Sequence, residues 1–496
     1  MKVETVTLVR RDPEANNVYS AFSHPGLALP IVGTALQEAG YRVRIYVDVI
    51  EPASWEELAG SDVVGLTVNS ACFRESYRLA DRLKRESDCV VVFGGPHVTF
   101  LPDEALEHGD FVVRGEGESS IVELVRALER GRTDFGGVAG LSWRDADGRV
   151  RHNPDRGLEA DIDRVPDQSL VVGLRRFTRR FTERFFPTGM LVSTSRGCPF
   201  RCTFCTIPRT FGQVVRFRSP DAVVADIRQQ MALSGHRYIY FADDNFTAHP
   251  TRTKKLLRRL VDERLDLRFS AQVRADVTRD AELTDLLRAA GCYLVFVGFE
   301  SINEPTLKAY RKGLASRAFL EQAIREFHRR GILVHAMFVI GADEDPSGTA
   351  FRTAEWARDQ GVASLQMLPL CPLPGTEVLA QLEAAGRLYK SWDVERERAY
   401  LPYAAGSLVL FEPRQTSAVE LQEELSRGYW RFYSWAGVLG SVLKMRRGGI
   451  NPLVFRLMGR RLLRRAESQV QEHLRWLEQR APSRPGAAPR AVTEAA

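Results

Sequence analysis

The stretch Thr194-Ser-Arg-Gly-Cys-Pro-Phe-Arg-Cys-Thr-Phe-Cys-Thr-Ile207 places three of the chain's seven cysteines in one short run, at Cys198, Cys202 and Cys205. A chance grouping at this spacing has odds of roughly one in a thousand. An iron–sulfur cube ordinarily takes four thiolates, so three leave one iron open to an exchangeable ligand. Structural zinc prefers four closed ligands, and no further Cys or His completes such a set within about the next thirty residues. The run therefore favours a [4Fe-4S] cluster with one open position over zinc.

The composition predicts an ordinary multidomain protein of 496 residues, 44% of them hydrophobic. The longest apolar stretches have the length of strands, and the N-terminus lacks the pattern of a signal peptide, so we expect a cytoplasmic protein without a transmembrane segment. The other cysteines show no paired spacing and are interpreted as buried thiols. A net charge of +6 in a chain of this size does not indicate a nucleic-acid partner.

Residues 1–130 alternate short apolar runs with amphipathic stretches, which predicts an α/β fold with a doubly wound, Rossmann-like parallel sheet. Ligands of such sheets bind at the carboxyl ends of the strands. Glycines occur at two of these ends, where they allow a ligand to approach the backbone closely, although a turn would also explain them. The candidate binding residues there are Gly94, Gly95, Gly115, Glu116 and Gly117.

Residues 131–185 are interpreted as a linker with a small extension. Asp147-Gly148 indicates a turn between short strands at 139–144 and 150–152. A basic run follows, which is typical of a solvated face and is also compatible with an acidic substrate or a redox partner. It consists of Arg175, Arg176, Arg179, Arg180 and Arg184.

Residues 186–387 contain six predicted strand–helix units, beginning with the strand before the cysteines. Repeated units of this kind predict a curved parallel sheet or barrel whose active face lies at the strand ends. Charged residues follow three of these strands. Asp243 and Asp244 would bind a ligand or cap the next helix, Arg274 would bind an anion or pair with Asp276, and Glu300 stands beside a glycine.

Residues 388–480 change to helical patterns in which aromatic residues precede many arginines. Such a region can lie on an anionic membrane surface, or it can pack its aromatic rings inward and leave the arginines in water, which is the interpretation we prefer. Residues 481–496, rich in Pro and Ala, are predicted to be a disordered tail.

The spacing Cys198-x-x-x-Cys202-x-x-Cys205, with Phe204 before the last cysteine, resembles the radical S-adenosylmethionine (SAM) superfamily. In that family the cysteines bind a [4Fe-4S] cluster whose open iron chelates SAM, and electron transfer cleaves SAM to a 5′-deoxyadenosyl radical. The resemblance implies a partial (βα)6 barrel. It also implies that Phe204, Asp243, Asp244, Arg274 and Glu300 contact SAM, the aspartates at its amino group, Arg274 at its carboxylate and Glu300 at its ribose.

The strings Val92-Phe-Gly-Gly-Pro-His-Val98 and Val113-Arg-Gly-Glu-Gly-Glu118 resemble the cobalamin-binding domain that precedes many radical SAM cores. The Asp-x-His-x-x-Gly motif of methionine-synthase-type domains is replaced here by Asp12-Pro-Glu-Ala-Asn-Asn17. We therefore expect cobalamin, if bound, to have no protein histidine on cobalt. The segment Val419–Trp435 resembles the C-terminal region of hopanoid-type enzymes, some of which act on lipids, so contact with a membrane surface is an open alternative.

Three functions remain open from the sequence. The first is cobalamin-dependent methylation of an unreactive carbon in a small-molecule, lipid or natural-product substrate, with one SAM supplying the methyl group and a second the radical. The second is the same radical initiation followed by cyclisation, rearrangement or C–C bond formation. The third is a cluster-bearing binding or electron-transfer protein. The first two imply an electron donor such as flavodoxin or ferredoxin.

Overall fold

A computed structural model of the chain describes residues 2–13, 26–178, 190–313, 316–393, 398–400, 408–438 and 452–480. The predicted tail at 481–496 lies outside these residues, as do Arg179, Arg180 and Arg184 of the basic run. The chain divides into two compact units. The first unit draws on Met1–Glu14, Phe22–Pro199 and Thr206–Asp243, and the second on Ala15–Ala21, Phe200–Cys205 and Asp244–Ala496.

A seven-stranded sheet forms the centre of the first unit, with the order β2-β1-β3-β4-β5-β6-β7. Strands β1 to β5 are parallel, and the order reverses direction at β1 and β3, as the predicted doubly wound sheet requires. The interior strand β3 is apolar on both faces because helices cover both sides of such a sheet. The strands are β1 Thr5–Arg10, β2 Arg42–Val47, β3 Val63–Thr67, β4 Val90–Gly94, β5 Phe111–Val113, β6 Leu141–Arg144 and β7 Val150–His152.

The hairpin predicted within the linker continues this sheet. Strand β6 pairs antiparallel with β5, and β7 pairs antiparallel with β6. The three-residue β5 would otherwise leave its backbone groups unpaired at the sheet edge, and the hairpin covers that edge. Residues up to His152 therefore belong to the first sheet.

The remaining strands of the first unit surround the start of the cysteine run. Strand β8, Met190–Val192, pairs in parallel with β11, Tyr238–Phe241. A two-residue antiparallel pair lies between them in sequence, formed by β9, Ser195–Arg196, and β10, Arg216–Phe217. The helices of this unit are Ala28–Glu38, Trp55–Ala59, Phe73–Glu86, Pro96–Phe100, Pro102–Ala105, Glu118–Glu129, Leu174–Thr178, Ile207–Thr210 and Pro220–Ser234.

The helix after the cysteine run shows how closely the local sequence determines this part of the fold. Ser219 caps the N-terminus by accepting a hydrogen bond from the amide of Ala222, and Pro220 occupies the first helical position. Gly235 ends the helix in the left-handed conformation that favours glycine. Local sequence thus sets both ends of this helix, Pro220–Ser234.

The second unit contains four parallel strands in the order β15-β14-β13-β12, each followed by a helix. They are β12 Arg268–Val273, β13 Cys292–Glu300, β14 Leu333–Ile340 and β15 Ser364–Pro369, and a separate pair consists of β16 Ser391–Asp393 and β17 Arg398–Tyr400. With β8 and β11 of the first unit they supply the six predicted strand–helix repeats. The helices are Pro250–Asp262, Ala281–Ala289, Glu304–Ala309, Arg317–Arg329, Thr349–Asp359, Glu377–Ala384, Ala418–Phe432 and Pro452–Arg480.

The C-terminal helices bury Phe432 and Tyr433, as the packed interpretation expects, but its expectation that the arginines stay in water is wrong at Arg456. Arg456 is buried and donates hydrogen bonds to the carbonyls of Phe432 and Val362, with its guanidinium 3.5 Å from the centre of the Phe432 ring. Arg460 lies over Trp430 and Trp435, 5.3 and 4.7 Å from the ring centres. Cation–π contacts of this kind hold the helix Pro452–Arg480 against the helix Ala418–Phe432 and the residues directly after it. Among the described helices, none combines the length and apolar character needed to cross a bilayer.

The second unit contains a buried histidine, His335. His335 on β14 hydrogen-bonds through Nδ1 to Ser364 Oγ, at 2.7 Å, and through Nε2 to Gln366 Oε1, at 3.3 Å. Burial lowers the pKa of His335 to about 4, although the bond to Gln366 acts in the opposite direction. The neutral ring satisfies both partners, since one nitrogen donates and the other accepts.

We predict that acidification destabilises this unit through His335. The unfolded chain binds a proton near the ordinary histidine pKa and the folded chain does not, so stability falls below that value and the loss is complete near the folded pKa. The expected loss at about pH 5 is on the order of 2 kcal/mol. Thermal unfolding of the wild type and of His335→Gln at about pH 7 and about pH 5 measures it. The variant should lose less stability on acidification, and equal losses would contradict the assignment.

Candidate cluster and cofactor site

The three cysteines lie on one loop whose backbone is fixed at several points. In the first unit, the amide of Cys198 donates to the carbonyl of Gly212, at 3.3 Å. In the second unit, the amide of Cys205 donates to the carbonyl of Cys202, at 3.1 Å, and closes a turn. All three side chains are half-buried. Their thiols are therefore accessible to a ligand while the backbone that carries them is held.

Gly197, immediately before the first cysteine, is required by the loop. Its φ of +93° lies in the region that favours glycine. A Cβ atom there would stand 2.8 Å from the carbonyl oxygen of Val214 and 3.0 Å from those of Gly212 and Phe211. Any side chain would push the two halves of the loop apart.

The donor set fits an iron–sulfur cluster better than a single metal ion. Across the described ranges, no three His, Cys, Asp or Glu side chains are grouped as a site for one ion. A [4Fe-4S] cluster has a different requirement, because each of its irons takes a separate thiolate. Cys198, Cys202 and Cys205 would hold three irons, and the fourth would stay open to another ligand.

Asp243, predicted to contact SAM, is tied to the start of the cysteine loop. Its carboxylate accepts hydrogen bonds from the amide of Thr194, at 3.0 Å, from the Thr194 hydroxyl, at 2.9 Å, and from the hydroxyl of Ser195. Its side chain is almost completely buried. These contacts join the end of β11 to the segment that follows β8, which gives Asp243 a positioning role.

Asp244, the next residue, belongs to the second unit and is half-buried. It stands before Asn245 and Phe246, both of which are buried. A carboxylate with part of its surface accessible suits an ammonium group. Of the two adjacent aspartates, Asp244 is therefore the stronger candidate for the SAM amino group.

Arg274 follows β12 and makes the ion pair with Asp276 that was one of its two predicted roles. Its Nε lies 3.3 Å from the carboxylate of Asp276, and its Nη2 donates to the carbonyl of Lys312, at 2.8 Å. Its guanidinium also lies 3.8 Å from the ring centre of Phe200, which stands in the cysteine loop. The side chain is buried, so this stacking fixes the loop to the end of β12.

Glu300 ends β13 in an unusual conformation. Its φ is +63°, and the pairing between β13 and β14 shifts register beside it. Its buried carboxylate accepts a hydrogen bond from the ammonium of Lys312, at 2.7 Å. A side chain at Gly298 would overlap both partners of this pair. A bulge and a strained residue at a strand end are typical of functional sites.

Phe204 packs edge-on against Tyr310, with ring centres 5.1 Å apart. The amide of its neighbour Thr203 donates to the Tyr310 carbonyl, at 3.4 Å. Tyr310 is buried, and burial raises the pKa of its hydroxyl well above the ordinary value. Within the second unit, Phe204 thus anchors the last cysteine to the segment after β13.

The glycines predicted to contact cobalamin have different surroundings. Gly95 has a φ of +103°, and a Cβ there would stand 2.7 Å from the carbonyl oxygen of Val68, so the packing of the strand ends requires glycine. A Cβ atom at Gly117 would stand 3.3 Å from the side chain of Val113 and 3.8 Å from that of Val32. Gly115 has a φ of +71° and no atom within 4 Å of its Cβ position. Gly115 therefore has open space beside its backbone, as a bound cofactor would need.

The side chains of His97 and Glu116, at the same edge of the sheet, make hydrogen bonds within the protein. His97 is buried, with Nδ1 3.0 Å from Ser70 Oγ and Nε2 3.2 Å from Glu104 Oε1, and its ring stacks on Phe73. Glu116 accepts two hydrogen bonds from Arg216, at 2.6 and 2.7 Å. His24 lies outside the described residues.

The sequence did not point to Lys312, Phe200 or Arg216. Phe200 stands inside the quoted cysteine run, so its place in the motif was a usable signal. Lys312 and Arg216 lie in segments without a motif, and only their contacts with Glu300 and Glu116 reveal them.

Two family descriptions match the chain. The B12 binding domain matches residues 14–125, and the radical SAM superfamily matches residues 192–350. An uncharacterized methyltransferase of Pyrococcus horikoshii is 30% identical over 364 residues, which cover 71% of this chain and 77% of that protein. The chain belongs to the radical SAM superfamily, among the members with a B12-binding domain. The predicted family and cofactor set, a [4Fe-4S] cluster, SAM and cobalamin, are confirmed at the level of this family.

Other relatives of this radical SAM chain carry names of two reaction types. The bacteriochlorophyllide d C-12(1)-methyltransferase of Chlorobaculum tepidum is 26% identical, covering 75% of this chain and 76% of that protein. The anaerobic magnesium-protoporphyrin IX monomethyl ester cyclase of Rubrivivax gelatinosus is also 26% identical, covering 80% and 72%.

The fold agrees with a solved structure. The radical SAM methyltransferase TsrM of Kitasatospora setae, solved with cobalamin and a [4Fe-4S] cluster, aligns with a TM-score of 0.68 at 19% identity. The alignment covers 95% of this chain and 100% of that chain. The predicted order of a Rossmann-like domain, a radical SAM core and a helical C-terminal region is thereby confirmed.

We predict that the two adjacent aspartates respond differently to the same substitution. Asp243→Asn removes a charged acceptor of three buried donors and should destabilise the first unit by about 2 kcal/mol. Asp244→Asn should weaken SAM binding. Thermal unfolding and equilibrium dialysis of SAM with the cluster-loaded protein measure the two effects. Unchanged stability of Asp243→Asn would contradict its positioning role, and unchanged SAM binding by Asp244→Asn would remove Asp244 from the site.

Proposed function

We propose that this chain transfers a methyl group from SAM to an unactivated carbon of a small-molecule or lipid substrate. The observation that carries the proposal is the presence of a three-cysteine loop and a B12-type sheet in one chain, with Glu116 beside Gly115 hydrogen-bonded to Arg216 at the base of that loop. When bound, the cluster and cobalamin supply one-electron reduction of SAM and a carrier for its methyl group.

The chain's own residues have distinct tasks in this proposal. Cys198, Cys202 and Cys205 hold the cluster. Asp244 faces the ammonium of SAM, while Arg274, stacked on Phe200, offers a guanidinium to its carboxylate. These three contacts, with the open iron, would orient the sulfonium for reductive cleavage.

Glu300 is proposed as the acceptor for the ribose hydroxyls of SAM. Its carboxylate is held by Lys312 on one side and retains a second oxygen for a ligand. The positive φ of Glu300 aims this carboxylate away from the regular path of β13. Phe204 completes the proposed SAM site by holding the third cysteine against Tyr310.

Cobalamin is proposed to bind at the carboxyl edge of the first sheet. Gly94 and Gly115 leave open space there, since a Cβ at Gly94 would have its nearest neighbour at 3.8 Å. Both nitrogens of His97 are engaged by the protein, so it would not reach cobalt without breaking these bonds. Electrons are proposed to come from a flavodoxin- or ferredoxin-type donor.

A radical reaction without methyl transfer is the second candidate. The relatives named as cyclases support it, because their identity to this chain is similar to that of the named methyltransferase of Chlorobaculum tepidum. The same cluster and SAM residues would serve both reactions. The two differ in what becomes of the methyl group of SAM.

The test follows both products of SAM. Anaerobically reconstituted protein is given hydroxocobalamin, dithionite, trideuteromethyl SAM and a metabolite extract. We expect 5′-deoxyadenosine together with S-adenosylhomocysteine, and a metabolite that carries the deuterated methyl group, because methyl transfer consumes SAM in two ways. 5′-Deoxyadenosine without S-adenosylhomocysteine, with cobalamin bound, would contradict methyl transfer and support the second candidate.

Cysteine variants test the cluster assignment in the same assay. Cys202→Ala should abolish both products and lower the iron content. Cys89→Ala is the matched control, since Cys89 is a buried thiol directly before β4 that accepts a hydrogen bond from Ser87. SAM cleavage by Cys202→Ala, or loss of cleavage in the control alone, would be incompatible with the proposed cluster ligands.

A further inference from the structure

Two arginines face each other at the base of the cysteine loop. In the antiparallel pair of β9 and β10, Arg196 stands directly opposite Arg216. Like charges at opposite positions of such a pair repel and destabilise it. The pair contains only two residues on each strand, so its own hydrogen bonds offer little to offset this repulsion. Something else must hold the loop closed.

Two glutamates from the first sheet supply the opposite charge. Glu116 accepts hydrogen bonds from both Nη atoms of Arg216, at 2.6 and 2.7 Å, in the bidentate geometry that gives strong ion pairs. Glu118 lies 2.6 Å from the guanidinium of Arg196, which is also 3.4 Å from Glu116. Both glutamates follow β5, on opposite sides of Gly117. We call Glu116, Glu118, Arg196 and Arg216 the clamp.

The four side chains of the clamp are largely buried. The side chains of Glu116 and Glu118 are 2% and 6% exposed, and those of Arg196 and Arg216 are 15% and 13% exposed. Burial raises the pKa of Glu116, but the hydrogen bonds from Arg216 and the charge of Arg196 outweigh it, and the pKa lies below its ordinary value. The clamp therefore sets two carboxyl groups against two guanidinium groups.

Backbone groups complete the clamp. The amide of Glu159 donates to Glu116, at 2.7 Å, and Arg216 donates to the carbonyls of Glu159 and Phe211, at 2.6 and 3.2 Å. Phe211 is one of the residues whose carbonyl crowds Gly197. The same arginine thus contacts the B12-type sheet, the segment after its hairpin, and the cysteine loop.

We propose that the clamp is a positioning device that fixes the base of the cluster-binding loop to the cobalamin-binding edge of the first sheet. Gly115, with open space beside it, directly precedes Glu116, and Cys198 stands two residues after Arg196. The clamp thereby sets where the first cluster cysteine lies relative to the edge proposed for cobalamin. Its product-ratio test rests on the proposed function, whereas its exchange test does not.

Hydrogen–deuterium exchange of the apoprotein tests the device without any cofactor. Glu116→Gln and Arg216→Met each leave one unbalanced buried charge, and amide exchange in peptides covering 195–217 should become roughly tenfold faster or more. Exchange in the strands β12 to β15 should not change. Glu38→Gln is the control, because it removes an exposed ion pair with Arg164 in the same unit and should have no effect on 195–217.

The double variant Glu116→Gln/Arg216→Met separates charge balance from general damage. It leaves Arg196 paired with Glu118, one charge against one, so protection of 195–217 should recover in part. Wild-type exchange in both single variants would overturn the proposal. Faster exchange throughout the protein, or a double variant with less protection than either single one, would also overturn it.

The second test measures the products of the protein reconstituted with cluster and cobalamin. In Glu116→Gln, iron and cobalamin content should stay within about twofold of wild type, while the ratio of S-adenosylhomocysteine to 5′-deoxyadenosine falls at least about fivefold, since both cofactors bind but are misplaced. The electron paramagnetic resonance spectrum of the reduced cluster should still change on SAM addition. An unchanged product ratio with loosened exchange would overturn the link to cobalamin. If wild type makes no S-adenosylhomocysteine, the proposed function fails and the exchange result stands.

Discussion

A single buried carboxylate, Asp243, underlies the arrangement of the site. It accepts three donors from Thr194 and Ser195, and thereby joins the end of β11 to the first residues of the cysteine loop. A buried carboxylate is costly unless its oxygens are paired, and these donors satisfy it. The loop therefore begins from a fixed point, and Gly197 can then turn the chain through a conformation that no other residue would accept without strain.

The cysteine loop is held by a different interaction at each of its three landmarks. Asp243 fixes its start, the clamp closes its base against the B12-type sheet, and the stacking of Arg274 on Phe200 holds its middle within the second unit. None of these contacts involves a thiol. The protein thus holds the backbone of the loop with ordinary hydrogen bonds, ion pairs and ring contacts. Preorganisation of this kind spares the binding step the cost of ordering the loop.

Prediction from the sequence was most accurate where structure depends on local pattern. The helix Pro220–Ser234 begins at a capping serine and ends at a glycine, and β11 and β14 are each a short apolar run between turns. Prediction failed to separate neighbouring residues of the same type. Asp243 and Asp244 are chemically identical, and only the strand geometry turns one inward to Thr194. Glu116 was predicted to contact cobalamin because it follows a strand end, and that stays a prediction; its observed partner Arg216 is distant in sequence and carries no motif.

By itself, the sequence determined the family and its cofactors, because motif spacing is a local property and three thiolates on one short loop fit a cluster with one open iron. It also determined the two series of strands and helices, whose periodicity follows from burial. Only the tertiary structure decided which charges meet. Glu116 and Arg216 are 100 residues apart, and Lys312 reaches Glu300 across a bulge. Such pairs arise from the packing of elements, and a charged residue looks the same in sequence whether its partner is water, a ligand or another buried charge.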